Sequence, residues 1–220
     1  MSTARYDGHT AWYDAFASGE LFESLRRDAV ALLGDGPGRC LDLGCGTGRA
    51  APHLRAAAWS TVGVDVSADQ LEAAAELCDD VQLADAHALP FEDASVDAVI
   101  SLLTHTDFDD AARAFGEAHR VLHDDGVLVY AGVHPCFAAP NVELLEDGTA
   151  VVHPGYRSEG WQTVSRDPDN PGIRSRVGIN HVTLATLLND VLGAGFALDT
   201  VVEPGEREPP LFLALRARKR

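Results

Sequence analysis

Between residues 38 and 132 short apolar runs alternate with segments of helical periodicity, and that alternation limits the fold more than any other feature of the chain. Cys40-Leu41-Asp42-Leu43, Thr61-Val62-Gly63-Val64-Asp65, Val81-Gln82-Leu83, Val96–Ser101 and Gly126–Ala131 have the length and apolar content of buried strands. Residues 49–58 and 68–78 are rich in alanine, and in 109–122 Ala111, Ala114, Phe115, Ala118 and Leu122 share one helical face. Strand–helix–strand units close right-handed onto a parallel sheet, whose ligands bind at the strands' carboxyl ends. The expectation is an α/β fold with a doubly wound sheet.

The flanks differ. Residues 5–33 read as two helices broken near Ser18–Gly19, with Phe22, Leu25, Arg26, Ala29, Leu32 and Leu33 forming a mostly apolar stripe. Tyr6, Trp12, Tyr13 and Phe16 add an aromatic cluster. The alternation stops at His134: residues 134–180 hold five prolines and five glycines with little periodicity. A loop of that length in a compact domain is usually functional or disordered. Leu184, Leu187, Leu188, Val191 and Leu192 then mark an amphipathic helix with Thr183 as its N-cap. Phe196–Val202 and Leu211–Leu215 read as a closing antiparallel hairpin.

The chain has 220 residues, enough for one α/β domain with a full core. No apolar stretch is long enough to span a membrane, and the first residues lack the apolar core of a signal peptide, so the expectation is a cytoplasmic protein without a membrane partner. With 17 basic against 34 acidic residues, a net charge of −17, nucleic acid is a poor partner. None of Cys40, Cys45, Cys78 and Cys136 forms a CxxC pair, and all four read as reduced thiols.

The chemical signal is Leu41-Asp42-Leu43-Gly44-Cys45-Gly46-Thr47-Gly48-Arg49. A strand runs into glycines, which permit a tight turn and close approach of a ligand, and a helix follows. The spacing is GxGxG rather than the dinucleotide GxGxxG, because Arg49 stands where the last glycine would fall, and no Gly-Lys-Ser/Thr makes it a phosphate loop. Asp65 ends the next strand, where a carboxylate can accept from both hydroxyls of a ribose. An NAD enzyme would use the same device, so Asp65 signals a nucleoside without saying which.

CLDLGCGTGRA, VGVDVS, ADAHALPFEDASVDAVIS and EAHRVLHDDGVLVYAG, four ordered blocks across residues 38–132, resemble the class I S-adenosylmethionine (SAM)-dependent methyltransferases, in particular the group containing ubiquinone-biosynthesis and many small-molecule enzymes. The resemblance implies a Rossmann-like, seven-stranded sheet, mostly parallel with the last strand antiparallel, and SAM as cofactor. It implies that Asp42, Gly44, Cys45, Gly46 and Gly48 line the methionine end. Asp65 and Val66 would meet the ribose, Asp85 and Ala86 the adenine, and Ser101 and Leu102 the sulfonium. Val96 departs from the family, which usually has an aromatic residue there. The N-terminal segment, 1–34, would be a lid over a SAM-binding core at 38–132. Residues 134–180 would form an acceptor-side insertion, with 183–217 the final helix and closing strands.

The sulfonium makes its methyl group electrophilic, so an enzyme has mainly to align an acceptor and exclude water. Oxygen acceptors gain from a base. His105, after the fourth strand, and His134, after the fifth, are the candidates. The nine histidines show no metal-ligand spacing. Ser101-Leu102-Leu103-Thr104 stands where protein and N6-adenine methyltransferases carry Asn/Asp-Pro-Pro-Tyr/Phe. The expected partner is therefore a small-molecule acceptor, taken up by a monomer or homodimer. The alternatives are a non-catalytic SAM-binding protein of the same fold and an NAD(P)-dependent oxidoreductase. Phe137, Tyr156 and Trp161 of the insertion could line an apolar cavity, and Arg157, Arg166, Arg174 and Arg176 could pair with an anionic acceptor group.

Overall fold

The computed structural model describes residues 4–138, 140–145, 147–163 and 172–220, with backbone alone at 172 and 173. Arg166 of the insertion lies outside them. The elements begin with helices α1 (Thr10–Ala17) and α2 (Glu20–Leu33), broken at Ser18–Gly19 as the sequence leads one to expect. Then β1 (Gly38–Leu43), α3 (Ala51–Ala56), β2 (Trp59–Asp65), α4 (Ala68–Ala74), β3 (Asp80–Leu83), β4 (Val96–Leu102), α5 (Ala111–Val121) and β5 (Leu122–Val133) alternate. The chain closes with α7 (Leu184–Gly193), β10 (Phe196–Val202) and β11 (Phe212–Lys219).

These strands form one seven-stranded sheet in the order β10-β11-β5-β4-β1-β2-β3. Pairings within β1–β5 are parallel, and β11 runs antiparallel between β10 and β5. The central strands β1, β2, β4, β5 and β11 are buried on both faces, so their neighbouring residues point into different cores, while the edge strands β3 and β10 are largely exposed. Cys40, Ala98, Val129 and Ala214 meet Leu25, Ala29 and Leu33 of α2 and Leu54 of α3. Leu41, Val99, Leu128 and Leu215 meet Phe115 and Ala118 of α5 and Leu187 and Val191 of α7. Side-chain caps start three helices: Ser67 on α4, Asp110 on α5 and Thr183 on α7.

The insertion has more structure than its sequence suggests. It holds two antiparallel strand pairs, β6 (Val142–Leu144) with β7 (Ala150–Val152) and β8 (Gly160–Gln162) with β9 (Ile179–His181). Between β8 and β9 lies the short helix α6 (Gly172–Val177). Each of these strands is three residues long, too short for a period-two pattern to stand out.

The chain crosses from β3 over β1 and β2 to β4, so β1 and β4 are neighbours whose connections leave in opposite directions. The crevice beyond their carboxyl ends is where a doubly wound sheet places its ligand.

Candidate functional site

The glycine loop stands in that crevice. Gly44, Gly46 and Gly48 have φ of +73°, +54° and +76°, a region L side chains rarely adopt. A Cβ on Gly44 would also lie 2.6 Å from Thr104 Cγ2. The amides of Gly44 and Cys45 donate to the Val64 carbonyl at 2.8 and 3.0 Å, which lays the loop across the end of β2. Asp65 fixes it there: Oδ2 accepts from Gly46 N and Oδ1 from Ser67 N, both at 2.9 Å. Burial raises the pKa of Asp65 against these amides, which pull it down. A carboxylate has about four acceptor positions, so two remain for ligand hydroxyls.

Two cavities meet at Tyr13, Gly44, Gly46, Leu102 and Leu103. The first runs along Asp65, Val66, Gln70, Asp85, Ala86 and His87 to Leu103, Asp107 and Phe108, with Arg5 and Tyr6 over it. The second lies under α1 and α2 and is lined by Arg26, Asp42, Cys45 and Thr47. Asp42 is 2% exposed, and among the described residues its Oδ2 has no hydrogen-bond partner. Burial, and then the charge of Asp65, push its carboxyl up to about 7, against the pull of Arg26. Arg26 is buried and donates to Glu23 Oε2 at 2.6 Å and to the Ala17 carbonyl at 2.8 Å. An orphaned buried carboxylate oxygen suits an ammonium group, and a buried guanidinium suits a carboxylate; together they match the two charges of an α-amino acid. Gln70 adds a buried amide with neither polar atom paired among the described residues, on the wall beside Asp65.

At the far end Asp85 Oδ1 accepts from His87 N at 3.0 Å and lies 2.6 Å from His87 Nδ1. His87 Nε2 faces the Asp110 amide at 3.2 Å and accepts from it, so the ring proton sits on Nδ1 and is donated to Asp85. The N-cap of α5 thereby orients the carboxylate expected at the adenine. Ala86 and Ala84 form the apolar floor beside it.

At the end of β4, Ser101 is fully buried and donates to the Leu43 carbonyl at 3.2 Å, with Thr104 Oγ1 at 2.6 Å. It ties β4 to β1 behind the loop, while Leu102 lines both cavities. Leu103 takes φ +63°, rare for a branched side chain, and the chain reverses there. The reversal turns His105 away from the cavity wall and under the sheet, 2% exposed, with Tyr130 Oη hydrogen-bonded to its Nδ1. Burial lowers its pKa to about 3, so the ring is neutral and poorly basic. His134 stands elsewhere again. Its Nδ1 accepts from Cys136 N at 3.1 Å and its Nε2 faces Glu203 Oε1 at 3.0 Å, beside the β10–β11 connection. Neither histidine lines the two cavities.

Asp107, which sequence reasoning passed over, does line the cavity. It accepts from Tyr6 Oη at 3.1 Å, and burial raises its carboxyl to about 6 although Arg174 pulls it down. Arg26, Gln70 and His87 were missed as well. Their one sequence signal is a polar residue inside an apolar helical stripe or a motif block.

The N-terminal segment covers the site through charge and ring contacts. Asp14 pairs with Arg49 through both oxygens at 2.7 Å and accepts from Thr47 Oγ1 at 2.8 Å. Asp7 accepts from Ser67 Oγ at 2.6 Å. Of the aromatic cluster, Tyr6 and Tyr13 line the cavity with centroids 4.9 Å apart, while Trp12 and Phe16 stack outside. The insertion joins the cover. Arg5 lies 3.6 Å over the Trp161 ring and Arg176 4.8 Å over Trp12. Asn180 donates from its backbone to Thr106 O at 2.7 Å and from its side chain to Phe108 O at 2.6 Å. Phe137, Tyr156 and Trp161 do not line the two cavities. Phe137 packs on His134, and Tyr156 Oη accepts from Leu184 N at 2.8 Å.

Residues 41–130 match the model of a family described as a methyltransferase domain. The chain is similar to a demethylmenaquinone methyltransferase of Thermotoga maritima, 35% identical over 119 residues, 50% of this chain and 50% of that protein. It is similar to a malonyl-[acyl-carrier protein] O-methyltransferase of Pectobacterium atrosepticum, 34% identical over 122 residues, 54% of this chain and 47% of that protein. The chain thus spans about half the length of these curated relatives. A solved S-adenosylmethionine-dependent methyltransferase from Mesorhizobium loti superposes with a TM-score of 0.73 at 26% identity, covering 92% of this chain and 99% of that one.

Proposed function

We propose that the chain is a class I SAM-dependent methyltransferase, as the match of residues 41–130 and the likeness to solved and curated methyltransferases support, and that it transfers the SAM methyl group to a small-molecule acceptor. One observation carries the reading. The unpartnered Oδ2 of Asp42 and the guanidinium of Arg26 face a cavity continuous with the one that Asp65 and Asp85 border. An amino-acid end and a nucleoside end, joined at the glycine loop, are the two halves of SAM.

In this reading Asp42 takes the ammonium group and Arg26 the carboxylate of the methionine end. Asp65 and Gln70 hold the ribose. Asp85 accepts from the adenine amine, and the Ala86 amide donates to the ring. SAM supplies an electrophilic methyl group on a positively charged sulfur. The chain's own task is to position the acceptor and keep water out, and the paired N-terminal segment and insertion provide the cover. For a hydroxyl acceptor Asp107 is the group placed to take the proton: it lines the cavity and its pKa lies near working pH. His105 and His134, the candidates from sequence, serve in this account to hold Tyr130 and the β5 end in place.

The test is incubation with methyl-labelled SAM and a small-molecule extract. Label should appear in a small molecule, and Asp107→Asn should slow transfer to a hydroxyl acceptor by roughly 10²-fold with SAM affinity unchanged. Label confined to RNA or protein, or SAM binding with no transfer to any acceptor class, would overturn the reading.

A further inference from the structure

Residues 5–8 cross the first cavity as a strap bonded to both of its banks. On the β2 side Asp7 accepts from Ser67 Oγ at 2.6 Å, and the Gly8 amide donates to Asp69 Oδ2 at 2.7 Å. On the β4 side Tyr6 Oη donates to Asp107 Oδ1 at 3.1 Å, and Arg5 donates to Asp109 Oδ1 at 2.8 Å. The insertion fastens this second end. Trp161 of β8 donates from Nε1 to the same Asp109 oxygen at 2.9 Å, and the Arg5 guanidinium lies 3.6 Å over its ring. One carboxylate oxygen thus takes a donor from the strap and a donor from the insertion, and the two donors stack on each other. The joint stands at the rim of the site. Arg5 lines the cavity on one side and an outer groove with Trp161 on the other. Asp109 lines a further groove that shares Ala84, Asp85 and His87 with the cavity.

We propose that the Arg5–Asp109–Trp161 joint is a latch through which the insertion controls entry and release of the nucleoside cofactor. The proposal rests on the methyltransferase reading above. A ligand lying under a strap tied to both banks passes only when one end lifts. The β2 end runs into α1, which Asp14 ties to Arg49 and Thr47. The β4 end is held by side chains that are partly exposed, 21% for Arg5, 42% for Asp109 and 39% for Trp161. Exposed ion pairs and cation–ring contacts are individually weak, so this joint opens without disturbing the core. Lifting Arg5 also draws Tyr6, its neighbour in the chain, from Asp107. The three latch groups meet one another, so they act on the ligand's path more than on its contacts. Loosening the latch therefore speeds passage in both directions and leaves the equilibrium nearly where it was.

The experiment measures association and dissociation of S-adenosylhomocysteine on the full chain by surface plasmon resonance, with melting curves on the same preparations. Arg5→Ala and Trp161→Ala should each raise both rates by roughly threefold or more, with Kd within about twofold of the parent. Trp161→Phe keeps a ring under Arg5 and loses only the N–H. It should fall between the parent and Trp161→Ala, and it carries the test should Trp161→Ala melt early. Combining Arg5→Ala with the tryptophan variant should add little to the faster single variant, because both break one joint. The proposal is overturned if the arginine and tryptophan variants keep the parent's rates. It is overturned as well if dissociation alone rises with a matching loss of affinity, which marks a ligand contact, or if the two effects multiply, which marks independent sites. Failure of S-adenosylhomocysteine to bind the parent protein would instead strike the methyltransferase reading, so the two failures are told apart.

Discussion

The half of the site built by residues 38–102 and the half built by the N-terminal segment and the insertion are made differently. In the first, ligand groups come from backbone turns and strand ends: the loop of Gly44, Gly46 and Gly48, and Asp65, whose carboxylate is held by two amides. In the second, they come from side chains on short elements joined by cation–ring contacts and single hydrogen bonds, such as Arg5 on Trp161 and Arg176 on Trp12. A half made of backbone geometry can be written in a local motif and can serve any acceptor. A half made of long-range side-chain contacts is free to vary with the acceptor, and its pattern is not local.

If the halves are this separate, replacing residues 140–176 by a short Gly/Ser linker should abolish methyl transfer and leave SAM binding in place, measured by turnover and by calorimetry on the same preparation. Retained turnover with unchanged KM would break the comparison. Gly44→Val tests the other half. The new side chain meets positive φ and Thr104 together, so SAM binding should fall below detection, with a stability loss of about 2–4 kcal/mol. A variant with parent affinity would show that the loop does not approach the ligand.

Asp65→Asn is a smaller perturbation. It keeps the shape but weakens the bond to Gly46 N and the bond proposed to the ribose, and SAM affinity should drop by roughly 2–3 kcal/mol in calorimetry. The smallest effect sharpens the account of Asp42. Its carboxyl is raised to about 7, above the unfolded value near 4, so the folded state holds the extra proton between those pH values. Its contribution to stability therefore falls as pH rises through that window. Binding an ammonium group favours the charged carboxylate. SAM binding near neutral pH should release a fraction of a proton, read as a dependence of the binding enthalpy on buffer ionisation enthalpy, and Asp42→Asn should abolish the release. A release that persists in Asp42→Asn would place the titrating group elsewhere.

Much of the fold was legible because its signals are local. The central strands carry near-continuous apolar runs, and Gly19, Gly34, Ser67, Asp110 and Thr183 mark helix ends, so Cys40–Leu43, Thr61–Asp65 and the closing hairpin stand out. The start of β5 did not, because Leu122-His123-Asp124-Asp125 reads as a turn and yet belongs to the strand. The strands β6 to β9 were unreadable because each is three residues long and held by tertiary bonds, as β9 is by Asn180. In the site, Asp65 follows from its spacing to the glycines, whereas Asp42 and Asp85 are singled out only by the resemblance of their motif blocks. The stretch after β4 was singled out, but the residue favoured in it was His105. Sequence does not show that Leu103 reverses the chain, turning His105 onto Tyr130 and leaving Asp107 on the wall. Arg26 looked like one position in an apolar stripe because its polar partners, Glu23 and the Ala17 carbonyl, are themselves part of the fold.

The central claim is that the crevice at the glycine loop takes an amino-acid-bearing nucleoside and not a dinucleotide. A pyrophosphate over the loop would face the buried, unpartnered Asp42, whereas the ammonium group of SAM would satisfy it. The most direct measurement is calorimetric titration of the full chain with SAM, S-adenosylhomocysteine and NAD in one buffer. The account predicts one-to-one binding of the first two at a shared site, each displacing the other, and no heat from NAD. Saturable NAD binding together with no binding of SAM would contradict it.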